Sequence, residues 1–346
     1  MILNLESEIW NTEMTVPATP RNVIMVSVTM FLLLALVVLV SLTMGAVHLP
    51  FEAVWRALVS RGGNSEAAVI VLQIRLPRIL LAILVGAALS VAGTGLQALL
   101  RNPLADPYVL GISSGAAVGA IFALWIGGRI AAASPLAAFA GAMITMVWVY
   151  LLGRSGGRLA SYTLILAGVI TASFLSAIIL FMLTLLPTRD VRGIAFWLMG
   201  DLSVTPVAEL RILAPAIVLA IAGVYVLAKD LNVLLLGSEE AAHLGVNVVW
   251  VELGVYILAS LLTGIAVSTS GAIGYLGLLV PHLGRMLVGN DHRMLLPTAA
   301  LGGAILLVLS DTLARTALAP SELPVGAVTA VAGAPVFIYL LRKTAG

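Results

Sequence analysis

The chain has 346 residues, of which 61% are hydrophobic and 10% charged, and its mean hydropathy is +1.13. That leaves too little polar side chain to cover a soluble body of this size, so most of the chain must face lipid or other buried helices, with no room for a substantial soluble domain. A formal net charge of +2 gives no reason to expect a nucleic-acid partner, and without cysteine neither disulfides nor thiolate metal sites can form.

Residues 1–22 are polar and carry Glu6, Glu8 and Glu13, so they lack the basic start of a cleavable signal. The run from Val23 to Met44 is too long for a signal core and reads as a retained first span. A spanning helix needs about 20 apolar residues. Apolar runs that satisfy or approach this occur at 23–44, 79–100, 111–127, 134–152, 163–186, 206–228, 250–269, 271–288, 295–318 and 324–341. The expected fold is all-α: a polytopic membrane protein of about ten transmembrane helices, with 23–346 as a single transmembrane domain.

Prolines such as Pro77, Pro103, Pro107, Pro135, Pro281 and Pro297 sit at or near run edges, where a missing N–H costs least. Two places break the pattern. From Arg101 to Pro107, and from Gly271 to Pro281, irregular backbone is expected at or near membrane depth, and it is tolerated there only under a cover of protein or in a water-filled cavity. Small residues are dense between Gly86 and Gly95 and between Gly111 and Gly119, which suits close helix packing in lipid. Gly86-Ala-Ala-Leu-Ser-Val-Ala-Gly93 resembles Gly264-Ile-Ala-Val-Ser-Thr-Ser-Gly271, and five crossings separate the two copies. An odd number makes them antiparallel, which points to an inverted internal repeat, although small-residue helices also resemble one another by chance.

The connection 229–248 is the long polar one. Ser238 is placed to cap a short surface helix, Glu239 and Glu240 suit its first turn, and Gly245 suits its stop. Such a helix is either a plain connector or a seat for a soluble partner. Orientation does not follow from charge: nine Lys and Arg fall on each side of the predicted spans.

No catalytic constellation is present. Gly111-Ile-Ser113-Ser-Gly115 has the form of a hydrolase elbow, but that motif needs a strand before it and a histidine partner. The four histidines, His48, His243, His282 and His292, lie near span ends. There is no H-E-x-x-H and no phosphate-binding loop. Residues 79–100, 163–186 and 253–280 contain no Asp, Glu, Lys, Arg or His, which disfavours an ion-coupled carrier. Asp311 and Arg315, four apart near the end of a span, are placed either simply to pair or to serve a functional role.

Several stretches together resemble the FecCD family of permease subunits in type II ABC importers for iron-siderophores, haem and cobalamin. They are Arg75-Leu-Pro-Arg78, Gln97-Ala-Leu-Leu-Arg-Asn-Pro-Leu-Ala-Asp-Pro107, Leu110-Gly-Ile-Ser-Ser-Gly115, Gly274-Tyr-Leu-Gly-Leu-Leu-Val-Pro-His282, Asp291-His-Arg-Met-Leu-Leu-Pro297 and Glu322-Leu-Pro-Val-Gly326. They run in order from about residue 70 to the C-terminus.

The resemblance implies a multi-pass protein of the cell inner (plasma) membrane with both termini cytoplasmic, working as a homodimer. Its other partners would be two ATP-binding cassette subunits, a periplasmic or lipid-anchored substrate-binding protein, and membrane lipid. ATP and Mg would be bound by the partner ATPase, and no cofactor or metal by this chain, which is thus not itself an enzyme. Ser238, Glu239, Glu240, His243, Leu244 and Gly245 match the helix that couples to the ATPase. Arg75, Arg78 and Arg315 match outer arginines that receive the binding protein. Ser161, Tyr162, Asn102 and Leu104 match cytoplasmic gate positions, with Tyr162 larger than expected. Phe196, Trp197 and Met199 match a short outer helix, within 189–201, beside the pathway. The implied function is ATP-driven alternating access for a metal chelate; the alternative is an ion-coupled secondary transporter of a small organic substrate.

Overall fold

The computed structural model describes residues 17–60, 65–126, 133–155, 158–203 and 207–344, so the polar segment 1–22, Arg61 and Arg129 lie wholly or mostly outside the described residues. Each of the ten apolar runs is a helix. Helix α1 (Pro20–Thr43) starts on Thr19, whose side chain accepts the Asn22 N–H, with proline in the first turn where no donor is needed. After it come α2 (Phe51–Ser60) and α3 (Glu66–Leu100), then α4 (Ile112–Trp125), α5 (Ala133–Gly153) and α6 (Ser161–Leu185). Helices α7 (Thr188–Leu198), α8 (Val207–Val226), α9 (Ala228–Leu234) and α10 (Ser238–His243) lead to α11 (Val248–Ser270), α12 (Leu276–Val288), α13 (His292–Thr316) and α14 (Val325–Thr344). Among the described residues seven helices are long and apolar enough to cross a membrane, and α4, α12 and α14 are shorter apolar ones.

Three features go beyond the expected pattern. Helix α2 and the extension of α3 back to Glu66 were not marked by any long apolar run, and α3 carries a π-helical segment at Ile70–Arg75. A two-residue hairpin, β1 (Arg154–Ser155) and β2 (Arg158–Leu159), clips α5 to α6, with Arg154 opposite Leu159. We call the face where α1 begins the near face and the one where it ends the far face. From Arg78 to Leu100, α3 runs about 33 Å, close to the ~30 Å hydrocarbon thickness of a bilayer. Arg75 and Arg78 therefore belong to its far rim.

Helix α3 is the centre of the bundle, buried along nearly its whole length from Pro77 to Leu100. It crosses α13 backbone to backbone: a Cβ on Gly86 would lie 2.3 Å from the Gly303 carbonyl oxygen. It meets α12 equally closely, where a Cβ on Gly93 would lie 2.0 Å from the Gly277 oxygen. Lipid supplies no hydrophobic drive between helices, so this contact-distance packing and the hydrogen bonds around it hold the core.

The inverted repeat is visible at the level of elements. Helix α3, an irregular break, the short α4 and then α5 and α6 are echoed by α11, a break, the short α12 and then α13 and α14. Helices α3 and α11 run antiparallel, since Gly95 lies against Val255 while Arg101, further along α3, reaches Ser238, which bonds Glu252 at the start of α11. The eight-residue sequence match is out of register with this symmetry. Gly86–Gly93 lies inside α3, whereas Gly264–Gly271 ends α11.

Candidate functional site

The two predicted breaks are irregular, and protein covers them except at Arg101 and Leu104, which are exposed. Arg101 closes α3 in a left-handed conformation (φ 48°), with its N–H bonded to Ala98 and that of Asn102 to Gln97. Asn102 Oδ1 accepts the Leu104 N–H at 2.8 Å, and Asp106 accepts that of Tyr108 at 2.8 Å to start a 3₁₀ turn over Pro107–Leu110. Gln97 donates to the Ala105 oxygen (3.2 Å) and the Gly277 oxygen (3.1 Å), while Arg285 on α12, 2% exposed, donates to Gln97 Oε1 at 2.7 Å. The second break returns the contact: the Ile273 N–H donates to the Tyr108 hydroxyl at 2.8 Å. Backbone groups freed in the breaks thus find side-chain partners, Ala105 in Gln97, Leu104 in Asn102 and, across the two breaks, Ile273 in Tyr108. A 3₁₀ turn, not a strand, precedes Ser113, which removes the hydrolase reading of Gly111–Gly115.

On the near face, α10 stands out from the bundle. Its one buried side chain is Ala241, whereas Glu239, Glu240, His243 and Gly245 are exposed and Leu244 is 64% exposed. Gly245 stops it in a left-handed conformation (φ 88°), as its position suggested. The cap differs from expectation. Gly237 occupies it, and Ser238 is the first helical residue, its hydroxyl accepting from Arg101 (3.3 Å) and donating to Glu252 (3.4 Å). A side chain engaged across two other elements is not free to fold back onto its own helix. Helix α9, absent from the sequence reading, seats the segment through buried Ala228, Leu231 and Leu234.

The four positions expected at a gate, Asn102, Leu104, Ser161 and Tyr162, share this face. Leu104 is exposed beside Asn102, Ser161 opens α6, and Tyr162 is 80% exposed, covered by no other described part of the chain. Helix α6 leans on the first break, with Gly168 against the backbone of Val109 and Leu110. Nearby, Asp291 caps α13 by accepting the Arg293 N–H at 2.9 Å. Burial alone would raise its pKa, but hydrogen bonds from Arg293 and Asn232 outweigh burial and hold the Asp291 pKa at about 2.

On the far face the three matched arginines are bonded within the chain and do not form an open basic patch. Arg75, Arg78 and Arg315 are all less than 10% exposed. Arg75 donates to the Leu42 oxygen at 2.6 Å and to the Val47 oxygen. Arg78 donates to Asp311 Oδ1 at 2.8 Å and to Glu322 Oε2 at 2.7 Å. Arg315 takes the other oxygen of Asp311 at 2.9 Å and reaches Ser41 at 2.9 Å and the Met44 oxygen at 3.3 Å. A fully buried carboxylate is tolerable only when paired and hydrogen-bonded, and Asp311 is held between two guanidinium groups. The pairing of Asp311 with Arg315 follows from their spacing; that Arg78 joins them from α3 carries no local signal. Glu322 is the open member, with 47% of its side chain exposed.

The helix before α8 is present as α7. Phe196 and Met199 keep exposed surface, but Trp197 packs between two hydrophobic clusters and is better described as a wedge. The loop after α7 closes over the second break, where the Asp201 N–H donates to the Ser270 oxygen at 2.8 Å.

Stacked long helices, paired breaks and an exposed near-face helix define a multi-pass membrane protein. Residues 33–343 match the FecCD transport family, and the chain belongs to it. It is 43% identical over 321 residues to the hemin transport system permease HmuU of Yersinia pestis, covering 90% of this chain and 94% of that one. It is 43% identical over 297 residues to the cobalamin import system permease BtuC of Halobacterium salinarum, covering 85% and 80%. A solved structure of a metal-chelate type ABC transporter in an inward-facing conformation superposes with a TM-score of 0.82 at 32% identity, covering 94% of this chain and all of the other. The chain is therefore an ABC transporter permease, a class whose ATPase is a separate subunit.

Proposed function

We propose that the chain forms, with a second copy of itself, the membrane pathway of an importer for a metal chelate of the iron-siderophore, haem or cobalamin kind, driven by two ATPase subunits docked on α10. The observation that carries this reading is α10 itself. It is a short helix with one buried side chain and an exposed ridge of Glu239, Glu240, His243 and Leu244, tied through Ser238 to the break that holds Asn102 and Leu104. A mere connector has no need of that tie. In this reading the near face is cytoplasmic, both termini lie on that side, and Ser161, Tyr162, Asn102 and Leu104 form the gate. Phe196 and Met199 border the far mouth.

A binding protein supplies the cargo from the far side. A carboxylate on it reaches Arg78 only by displacing Glu322, while Arg75 and Arg315 act from beneath by holding the rim together. ATP binding shifts the equilibrium between gate conformations by favouring one of them, as any ligand must. The test is reconstitution. The chain should co-purify with the ATPase encoded beside it, stimulate ATP hydrolysis when the loaded binding protein is added, and move cargo only with ATP. Uptake driven by an ion gradient without ATP would overturn the reading in favour of a secondary transporter. Asp311 lends that alternative no support, since two arginines already hold its carboxylate.

A further inference from the structure

The run Asp291-His292-Arg293 has no part in docking or gating as described so far, yet it stands against α9, the helix that leads into α10. We infer that Asn232 on α9 is a positioning residue that bolts the ATPase-facing segment to α13, so that displacement of α10 moves α13 instead of bending the connection between them. This rests on the reading of α10 as the ATPase seat.

The geometry uses the whole amide. Asn232 Oδ1 accepts from the His292 backbone N–H at 2.8 Å and from its ring Nδ1 at 2.7 Å, and Nδ2 donates to Asp291 Oδ1 at 2.9 Å. The same carboxylate caps α13 through the Arg293 N–H and grips the Arg293 guanidinium at 2.6 Å. His292 is 1% exposed, so the two bonds to it are partly sheltered from water, while Asn232 is half-buried and the Asp291 side chain keeps 26% of its surface exposed. An apolar seat such as Ala228, Leu231 and Leu234 resists separation but allows sliding. Three directional hydrogen bonds to one helix terminus also fix rotation and register. The second tie, Arg101 to Ser238 to Glu252, is longer at 3.3 and 3.4 Å and sits at the start of α10. From His292 the α13 helix runs 25 residues to Thr316, with Pro297 inside it, and carries Asp311 and Arg315 at its far end. The bolt therefore joins the ATPase seat to a rod that ends in the far-face ion cluster.

The test uses the full importer in proteoliposomes, with cargo moved per ATP hydrolysed as the readout, beside ATPase co-purification and unfolding temperature. Asn232→Asp sets one carboxylate against another, and adding Asp291→Asn restores a donor opposite it, since asparagine also caps helices well. Asn232→Asp should retain its ATPase subunits and lower cargo moved per ATP at least fivefold, and the double variant should recover to within twofold of wild type. Wild-type coupling in Asn232→Asp, or a double variant no better than the single, would overturn the bolt. If Asn232→Asp does not accumulate, a double-mutant cycle of Asn232→Ala with His292→Ala reads the same contact. A double loss no greater than the larger single loss supports the bolt, and full additivity overturns it. Absence of any ATPase from the wild-type preparation would instead remove the α10 reading on which the inference stands.

Discussion

Asp311 shows how a buried charge is afforded in this protein and what its loss should cost. Its two oxygens are divided between Arg78 and Arg315, so Asp311→Asn leaves the buried Arg315 without its carboxylate partner and Arg78 with Glu322 alone. Breaking a buried pair from one side costs about 3–5 kcal/mol, and thermal unfolding of the purified variant in detergent should show a loss of that size. Glu322 behaves differently because it is half exposed. Glu322→Gln should leave stability nearly unchanged and strengthen capture of the binding protein about two- to fivefold at low salt, the range of an exposed ion pair worth roughly 0.5–1 kcal/mol. Surface-immobilised permease with titrated binding protein measures this, and equal affinity for both forms would show that the partner does not compete for Arg78. At this scale the sequence was only partly legible. Asp311 and Arg315 are one helical turn apart and announce their pairing, whereas Arg78 reaches Asp311 and Glu322 across sequence separations of 233 and 244 residues. Ser238 misled because it looked like a cap, and its hydroxyl is instead shared with Arg101 and Glu252.

Helices were legible where composition alone decides them. Ten apolar runs gave ten helices, and Asn102-Pro103 and Gly271 marked the two breaks through their own backbone limits. Helix α2 and the far-face start of α3 were not marked, because Glu52, Arg56 and Glu66 dilute their hydropathy and tertiary contacts decide their form. The pairing of the breaks through Tyr108 and Ile273 was likewise invisible, since no periodicity spans 165 residues. The crossing of α3 with α13 carries the prediction at this scale. Gly86→Ala adds one carbon against a backbone oxygen that cannot rotate aside. It should cost about 1–3 kcal/mol through overpacking, read as a lower unfolding temperature. An exposed Ala242→Gly on α10, with no such contact, should cost no more than about 1 kcal/mol of helix propensity.

Taken whole, the molecule has a rigid centre of α3, α11, α12 and α13 and a periphery that is far more open. Tyr162 belongs to that periphery. With 80% of its surface exposed, Tyr162→Ser should fall within about 0.5 kcal/mol of wild-type stability. If Tyr162 narrows the gate, the same change should raise leakage of cargo through complexes held without ATP, measured as efflux from loaded vesicles. Unaltered efflux would place the constriction elsewhere.

The crossing of α3 and α13 also has a consequence for which insertions and deletions the chain can absorb. Eight residues separate Arg78 from Gly86, and eight separate Gly303 from Asp311, so the ion pair and the glycine contact are two teeth of one antiparallel rack. Deleting one residue between the teeth turns the rest of the helix by about 100° and shifts it by about 1.5 Å. The charge and the glycine could then no longer both engage. Changes in length should be accepted in the connections between helices and rejected here, unless α13 loses a residue in the same interval.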